Sequence, residues 1–170
     1  MKQMLKYILG LIIDQQKYAE QKHSFILAIN SGIIVITVGF FTNSGPLVLL
    51  LNFCALFLCG ISLSLNLIAL YSRVIKIKQN NLKSLHECNM LYFGNIAYFS
   101  EDEFLKRIKS QYNFPENYEC DNFDKDLARQ IVINSRVVTI KHNLFNKSLI
   151  FLVGGLIAAV IMFAVISLGV

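Results

Sequence analysis

The sequence predicts an all-α membrane protein with an N-terminal amphipathic helix, three transmembrane helices, and a helical cytoplasmic segment between spans two and three. Of its 170 residues, 55% are hydrophobic, none is Trp, and the formal net charge is +5. Every Lys, Arg, Asp and Glu lies either before His23 or between Arg73 and Lys147. A helix needs about 20 apolar residues to cross the hydrocarbon core. The first uncharged stretch therefore accommodates two spans, and the last accommodates one.

The turn "TNSGP" divides the first uncharged stretch, because its residues end one helix and Pro46 suits the first turn of the next. The predicted spans are residues 24–41, 47–72 and 148–168. The predicted segments of the chain are a regulatory amphipathic helix at 1–22, a transmembrane hairpin at 23–72, a cytoplasmic helical segment at 73–147, and the third transmembrane helix at 148–170.

Basic residues near the span ends predict the orientation, because such residues are retained on the cytoplasmic side. They precede spans one and three and follow span two: Lys17, Lys22, Arg73, Lys76, Lys78, Lys141 and Lys147. The uncharged turn at Asn43 and the C-terminus at Val170 are then outside.

The N-terminal helix has one broad apolar face, with Lys2, Lys6 and Asp14 spread around the rest of its surface. The apolar face consists of Leu5, Ile8, Leu9, Ile12 and Ile13. Such a face suits the bilayer surface or a partner helix. A plain membrane anchor and a regulatory element both remain open.

The cytoplasmic segment keeps a helical periodicity. "SRVIKIKQNNLKSLHECN" continues span two, and Ser100 with Glu103 forms a capping box that begins a helix before Pro115. A third, long helix begins near Asp124 and enters span three, with no proline or glycine before Gly154.

This long helix is a rigid rod, so a shift at its cytoplasmic end is expected to reach the membrane. We assign the coupling to Gln130, Ser135 and Lys141. The alternative is a span with an incidental basic flank.

Residues that carry catalysis are not apparent in the sequence. His23, His86 and His142 are not spaced as metal ligands, and there is no glycine-rich phosphate loop or nucleophile motif. The four cysteines are too scattered for a metal site, and cytoplasmic thiols stay reduced. We expect no enzyme activity, no cofactor, no metal and no disulfide.

Polar residues recur every seventh position along spans one and two. Span one carries His23, Asn30, Thr37 and Ser44, and span two carries Asn52, Cys59 and Asn66 with Ala55 and Ser62 on the same face. Polar groups in hydrocarbon cost free energy unless they find partners, so these faces should contact protein or line a pore. Ordinary helix packing is the alternative to a pore. Three short spans can scarcely satisfy two polar faces, which predicts self-association.

Span three carries small residues four apart. Gly154 precedes Ala158, and Gly155 precedes Ala159, by the spacing that allows close helix approach.

Four bases lie far from the predicted bilayer and are candidates for binding an anion: Arg107, Lys109, Arg129 and Arg136. Guanidinium and ammonium groups bind phosphate through charge-assisted hydrogen bonds. Four aromatic residues offer a stacking surface for a base, or they pack in a core: Tyr92, Phe93, Tyr98 and Tyr112. Lys2 and Lys6 are a second anion site if the ligand is an oligonucleotide.

Three segments together resemble the Pycsar-type transmembrane effector domain of bacterial antiphage operons. They are "YAEQKHSFILAINSGII", "LYFGNIAYFSEDEFLKRI" and "LARQIVINSRVVTIKHNLFNKSL". The matching positions are Glu20, Lys22 and Asn30, then Phe93, Gly94, Ile96, Ser100, Glu103 and Phe104, then Gln130, Ser135 and Lys141. The sequence departs from the family pattern in having Glu20 where aspartate is usual and in having a longer N-terminal helix.

This resemblance implies an effector that damages the bacterial inner membrane during abortive infection. It would act as an oligomeric pore or depolarising protein, and we expect a homo-oligomer, specifically a tetramer. Its activity would be controlled by a messenger made by a cyclase or nucleotidyltransferase encoded nearby. Cyclic nucleotides and short oligonucleotides both remain open as the signal. The competing hypothesis is a non-conducting membrane scaffold that anchors a partner enzyme, which gives no reason for the polar faces.

Overall fold

A computed structural model describes residues 1–40, 45–71, 88–115 and 117–168. This part of the chain contains five helices and no strand, which confirms the all-α prediction. The helices are α1 (Lys2–Val38), α2 (Pro46–Leu70), α3 (Phe93–Ile96), α4 (Glu101–Gln111) and α5 (Asn122–Ser167). The predicted continuation of span two, at 72–87, lies outside the described residues, as does Ser44.

Local sequence signals explain where two helices begin. Pro46 occupies the first turn of α2, after Gly45 in an extended conformation. Ser100 caps α4 as predicted: its Oγ accepts a hydrogen bond from the Glu103 N–H, and the Glu103 carboxylate accepts one from the Ser100 N–H at 2.8 Å. The Ser100 donors hold the pKa of Glu103 below its ordinary value.

Three helices, α1, α2 and α5, are long and apolar enough to cross a membrane. Helix α1 joins the predicted amphipathic helix and the first span in one helix of 37 residues. Helix α5 extends unbroken over 46 residues, which confirms that the charged helix continues into the third span.

The chain divides into two compact units. Unit 1 comprises Met1–Ala19 and Ser72–Lys141, and unit 2 comprises Glu20–Tyr71 and His142–Val170. Helices α1 and α5 each contribute to both units. The units describe packing, whereas the predicted segments describe membrane topology, which stays a prediction.

Unit 1 has an apolar core that includes one face of α1. Leu5, Ile8 and Ile12 are at most 1% exposed and belong to one cluster with residues of the other elements. The other fully buried members are Met90, Ile96, Phe104, Ile108, Ala128, Ile131, Val132 and Val138. Of the two destinations predicted for this face, the structure shows helix packing within the same chain.

Unit 2 has the opposite distribution of polarity. Its outward side chains are apolar, with Val35, Phe57 and Ile150 about 70% exposed. Its interior contains fully buried polar side chains. Such a surface suits lipid, because hydrocarbon solvates apolar side chains and leaves the polar ones to find partners inside.

Candidate functional site

The buried polar side chains of unit 2 form a line that we call the polar seam: His23, Asn30, Thr37, Asn52, Ser62, Asn66 and Ser148. All seven are 0% exposed. They come from α1, α2 and α5, and the seven-residue spacing on α1 and α2 keeps them on the inward faces of those helices. The predicted packing or pore residues Asn30, Thr37, Asn52, Ser62 and Asn66 are thus brought together.

At one end of the seam, Asn66 links α1 and α2. Its Nδ2 donates to the backbone oxygen of Ser62 at 2.7 Å, which leaves its Oδ1 as the atom next to His23 Nδ1. An amide oxygen only accepts, so His23 Nδ1 carries the hydrogen. The Ser148 hydroxyl is shared between Phe145 O, at 2.8 Å, and the same Asn66 oxygen, at 3.4 Å.

One step further into the bundle, Ser62 joins all three helices. Its hydroxyl donates to the Ser148 backbone oxygen at 2.9 Å and accepts from Asn30 Nδ2 at 2.9 Å. A hydroxyl has one hydrogen, which is committed to Ser148, so the Asn30 amide must present its nitrogen here. The Asn30 Oδ1 is buried and has no hydrogen-bond partner among the residues that the structure describes.

Near the other end of the seam, Asn52 Nδ2 donates to the backbone oxygen of Thr37 at 2.9 Å. The Thr37 hydroxyl bonds backward to the oxygens of Ile33 and Ile34. Since a carbonyl only accepts, the orientation of the Asn52 amide is also determined. Its Oδ1, like that of Asn30, is buried without a partner in the described part of the chain.

These contacts satisfy part of the two polar faces, which were expected to exceed what three spans can satisfy. The amide nitrogens of Asn30, Asn52 and Asn66 bond within the chain. Side chains on α2 also reach backbone oxygens of α1 and α5, partners that a count of side chains omits. The Oδ1 atoms of Asn30 and Asn52 are still without a partner among the described residues. Self-association therefore stays a prediction.

Helices α2 and α5 approach each other closely at Gly155. A Cβ atom there would lie 2.6 Å from Cys59 Sγ and 3.3 Å from the Ala55 oxygen. At Gly154 the nearest atom is the flexible end of Leu58, at 3.3 Å. Gly155 is therefore the residue that lets α5 pack directly on the buried Cys59 of α2.

Three of the predicted ligand-binding bases of unit 1, Arg136, Arg129 and Lys109, contact different oxygen atoms of the chain. Arg136 Nε and one terminal nitrogen donate to the backbone oxygens of Ala97 and Phe99, at 3.0 and 2.9 Å. The two oxygens directly precede α4, so Arg136 fixes the entry to that helix.

Arg129 pairs with Glu101 at 3.5 Å, and Lys109 donates to the Tyr118 backbone oxygen. Arg107 is half-buried, and its Nε has no hydrogen-bond partner within residues 1–40, 45–71, 88–115 and 117–168. One existing oxygen contact leaves other N–H donors of Arg129 and Lys109 that can bind an anion.

Lys2 and Lys6 lie beside Phe123 near the start of α5. Their ammonium groups are 5.9 and 5.5 Å from the centre of its ring, which is 45% exposed. Lys2 also pairs with Asp121 at 2.6 Å. The hydrogen bond from Lys2 holds the pKa of Asp121 below its ordinary value, and Asp121 raises the pKa of Lys2. The ring and two cations form an exposed platform, which we call the N-terminal platform.

Buried next to the N-terminal platform is Asp124, which accepts a hydrogen bond from the Tyr118 hydroxyl at 2.9 Å. This bond raises the pKa of Tyr118. Sequence reasoning missed Asp121, Phe123 and Asp124, although their place at the predicted start of the long helix was a signal for all three.

The predicted coupling residues lie along α5 in unit 1. Gln130 is exposed, Ser135 is buried with its hydroxyl on the Ile131 oxygen, and Lys141 is 3% exposed. Of the predicted stacking aromatics, Tyr92 and Tyr112 are 50% and 38% exposed, whereas Phe93 packs against the core.

Comparison with known families gives one match. The family described as PycTM, Pycsar effector protein domain, matches residues 4–168. No curated protein and no solved structure matches the chain.

Proposed function

The chain belongs to the Pycsar effector family of bacterial antiphage defence, and from this premise we propose a function. We propose that the protein forms a pore controlled by a nucleotide messenger. In its active state the pore depolarises the inner membrane and arrests the infected cell. The proposal assigns no catalytic step and no cofactor to the protein.

The polar seam is the observation that carries this proposal. Seven fully buried polar side chains occupy the interior of a bundle whose outer surface is apolar. Burying polar groups in a membrane bundle costs free energy unless partners or water satisfy them, and such groups commonly mark an ion pathway. A helix bundle that only anchored a partner would be served by an apolar interior.

Control by a messenger is assigned to unit 1, since the N–H donors of its bases can bind phosphate oxygens. Arg107, Lys109, Arg129 and Arg136 remain our candidates, together with the N-terminal platform. The Pycsar system implies a cyclic nucleotide made by a cyclase. At the platform a nucleobase would stack on Phe123 while Lys2 and Lys6 contact the phosphate.

Unit 1 is proposed to lie in the cytoplasm, where a cyclase releases its product. The basic residues flanking the spans support this orientation. A homo-oligomer, for which we propose a tetramer, would enlarge the pathway beyond what one bundle provides.

The proposal is tested by recording membrane potential with a dye in bacteria that express the chain with and without its neighbouring cyclase. We expect depolarisation to change with cyclase activity, and we expect a cyclase with an inactivated catalytic site to abolish that change. Unchanged polarisation under every condition would contradict the proposal. It would favour the scaffold alternative, which also predicts that reconstituted vesicles retain their ions.

A further inference from the structure

We propose that the polar seam selects monovalent cations over anions, with the amide oxygens of Asn30 and Asn52 as the selectivity-determining groups. This inference rests on the proposed pore function and adds to it the class of ion that passes. It starts from the direction of the hydrogen bonds in the seam.

The donor atoms of the seam are already committed to oxygens of the chain. Asn30 and Asn66 donate to Ser62, and Asn52 donates to the Thr37 oxygen. The Ser62 hydroxyl donates to the Ser148 oxygen. An anion entering the seam would find at most the second hydrogen of each amide nitrogen, and any stronger binding would compete with the bonds that join the helices.

The unused polar atoms of the seam are acceptors. Asn30 Oδ1 and Asn52 Oδ1 are buried and without a partner in the part of the chain that the structure describes. Neither amide can turn to exchange oxygen for nitrogen, because Ser62 and the Thr37 oxygen each require a donor from it. Neutral carbonyl-type oxygens replace the hydration shell of a monovalent cation, as in cation-selective filters.

The predicted spans contain no charged side chain that would oppose the selection of cations over anions. Residues 24–71 and 148–168 contain no Asp, Glu, Lys or Arg, so selection there depends on dipoles. The two oxygens lie on different helices and bond to different neighbours, Ser62 in one case and Thr37 in the other. An ion passing along the seam would therefore meet two separate acceptor positions.

Between these two positions along α2 is the tight contact of Gly155 with Cys59. Asn52 precedes Cys59 by two helical turns, and Ser62, the partner of Asn30, follows it by one. Helices α2 and α5 are in direct contact there, and we assign this packed arrangement to the closed state. Opening requires α2 and α5 to separate at Gly155.

Ion selectivity is measured with the full-length protein in planar phospholipid bilayers under a potassium chloride gradient, adding each common 3′,5′-cyclic mononucleotide in turn. We expect the current to reverse near the equilibrium potential of potassium. The Asn30→Leu and Asn52→Leu variants should each lower the potassium-to-chloride permeability ratio about threefold to tenfold, as the loss of one hydrogen-bond-strength contact predicts. Ser64→Ala is the matched control, because Ser64 is exposed and its hydroxyl bonds to the Gly60 oxygen of its own helix.

Reversal near the chloride potential, or at zero voltage, would overturn the inference from the unmodified protein alone, whether or not the variants fold. An unchanged ratio in both leucine variants would also overturn it. In either case cells that still depolarise would leave the proposed pore standing. Absence of any current together with absence of depolarisation in cells would overturn both.

Discussion

The two units of this chain differ in the polarity of the side chains that they bury. Unit 1 encloses a cluster of apolar residues such as Phe104 and Ile131, and its Lys2–Asp121 ion pair lies at the surface. Unit 2 encloses the polar seam, including Asn66, and leaves Phe57 and Ile150 outside. Apolar burial stabilises a core in water, whereas in hydrocarbon the same burial has little driving force.

This difference indicates how each unit can change state. Apolar contacts are non-directional, so a unit with an apolar core tolerates small shifts of the contacts on its surface. A seam of directed hydrogen bonds has discrete arrangements, since each donor either has its acceptor or lacks it. We therefore assign ligand exchange to the exposed charges of unit 1 and opening to the hydrogen bonds of unit 2.

The largest loss of stability should come from creating a cavity in the core of unit 1. Phe104 is 0% exposed, and Phe104→Ala is expected to destabilise unit 1 by about 3–5 kcal/mol. Phe123→Ala is the control, since that ring is 45% exposed. Hydrogen exchange of the amides in α4 measures both. Equal loss of protection in the two variants would contradict the assigned core.

A smaller effect should follow from breaking the seam at Asn66. Asn66→Leu removes the acceptor of His23 Nδ1 and one donor to Ser62, and should destabilise unit 2 by about 1–3 kcal/mol. The measure is unfolding in detergent, with Ser64→Ala as the variant that should change little. A more stable Asn66→Leu protein would mean that apolar packing dominates unit 2 as well.

The glycine contact gives a matched pair of substitutions on membrane helices. Gly60→Ala should be neutral or slightly stabilising, because nothing lies within 4 Å of its Cβ position and alanine favours helix. Gly155→Ala should cost about 1–3 kcal/mol, because the new Cβ meets Cys59 Sγ at 2.6 Å. Thermal unfolding of both variants compares them, and equal midpoints would show that the α2–α5 contact is not tight.

The smallest effect should be the pH dependence of the Lys2–Asp121 pair, which is largely exposed. Lys2 lowers the pKa of Asp121. The stability that this carboxylate contributes is therefore present at pH values above its ordinary pKa of 3.8 and is lost as the pH falls below that value. Asp121 raises the pKa of Lys2, so the stability that the Lys2 ammonium contributes is present below its ordinary pKa of 10.5 and is lost at higher pH. When the stability of unit 1 is measured against pH, it should fall less steeply towards acid in Asp121→Asn than in Asp126→Asn. The same acid dependence in both variants would contradict the Lys2–Asp121 pairing.

Much of the fold was predictable, because membrane helices and caps depend on local composition. The uncharged stretches gave the three spans, and Ser100 with Glu103 gave the start of α4. The seven-residue spacing of Asn30 and Thr37 predicted a buried face, since spacing alone determines which side chains share one side of a helix.

Partners across helices were not predictable, because they depend on the rotation and register of each pair. Nothing near Arg136 in sequence indicates that it binds the oxygens of Ala97 and Phe99. The same holds for Ser62 and the Ser148 oxygen, which are 86 residues apart. Phe123 was missed because its role depends on Lys2 and Lys6, residues far from it in sequence.

The central claim is that α5 transmits messenger binding in unit 1 to the seam in unit 2. The helix contributes Arg129 to one unit and Ser148 to the other, separated by roughly 28 Å of continuous helix. Inserting two glycines after Asn143 interrupts this rod with residues that weaken a helix by about 1 kcal/mol each. The insertion variant is compared with the unmodified chain by membrane-potential dye in cells that induce the cyclase, after membrane insertion and assembly are verified for both. We predict that the unmodified chain changes the potential when the cyclase is induced and that the inserted variant does not. An inserted variant that switches as the unmodified chain does would contradict the claim.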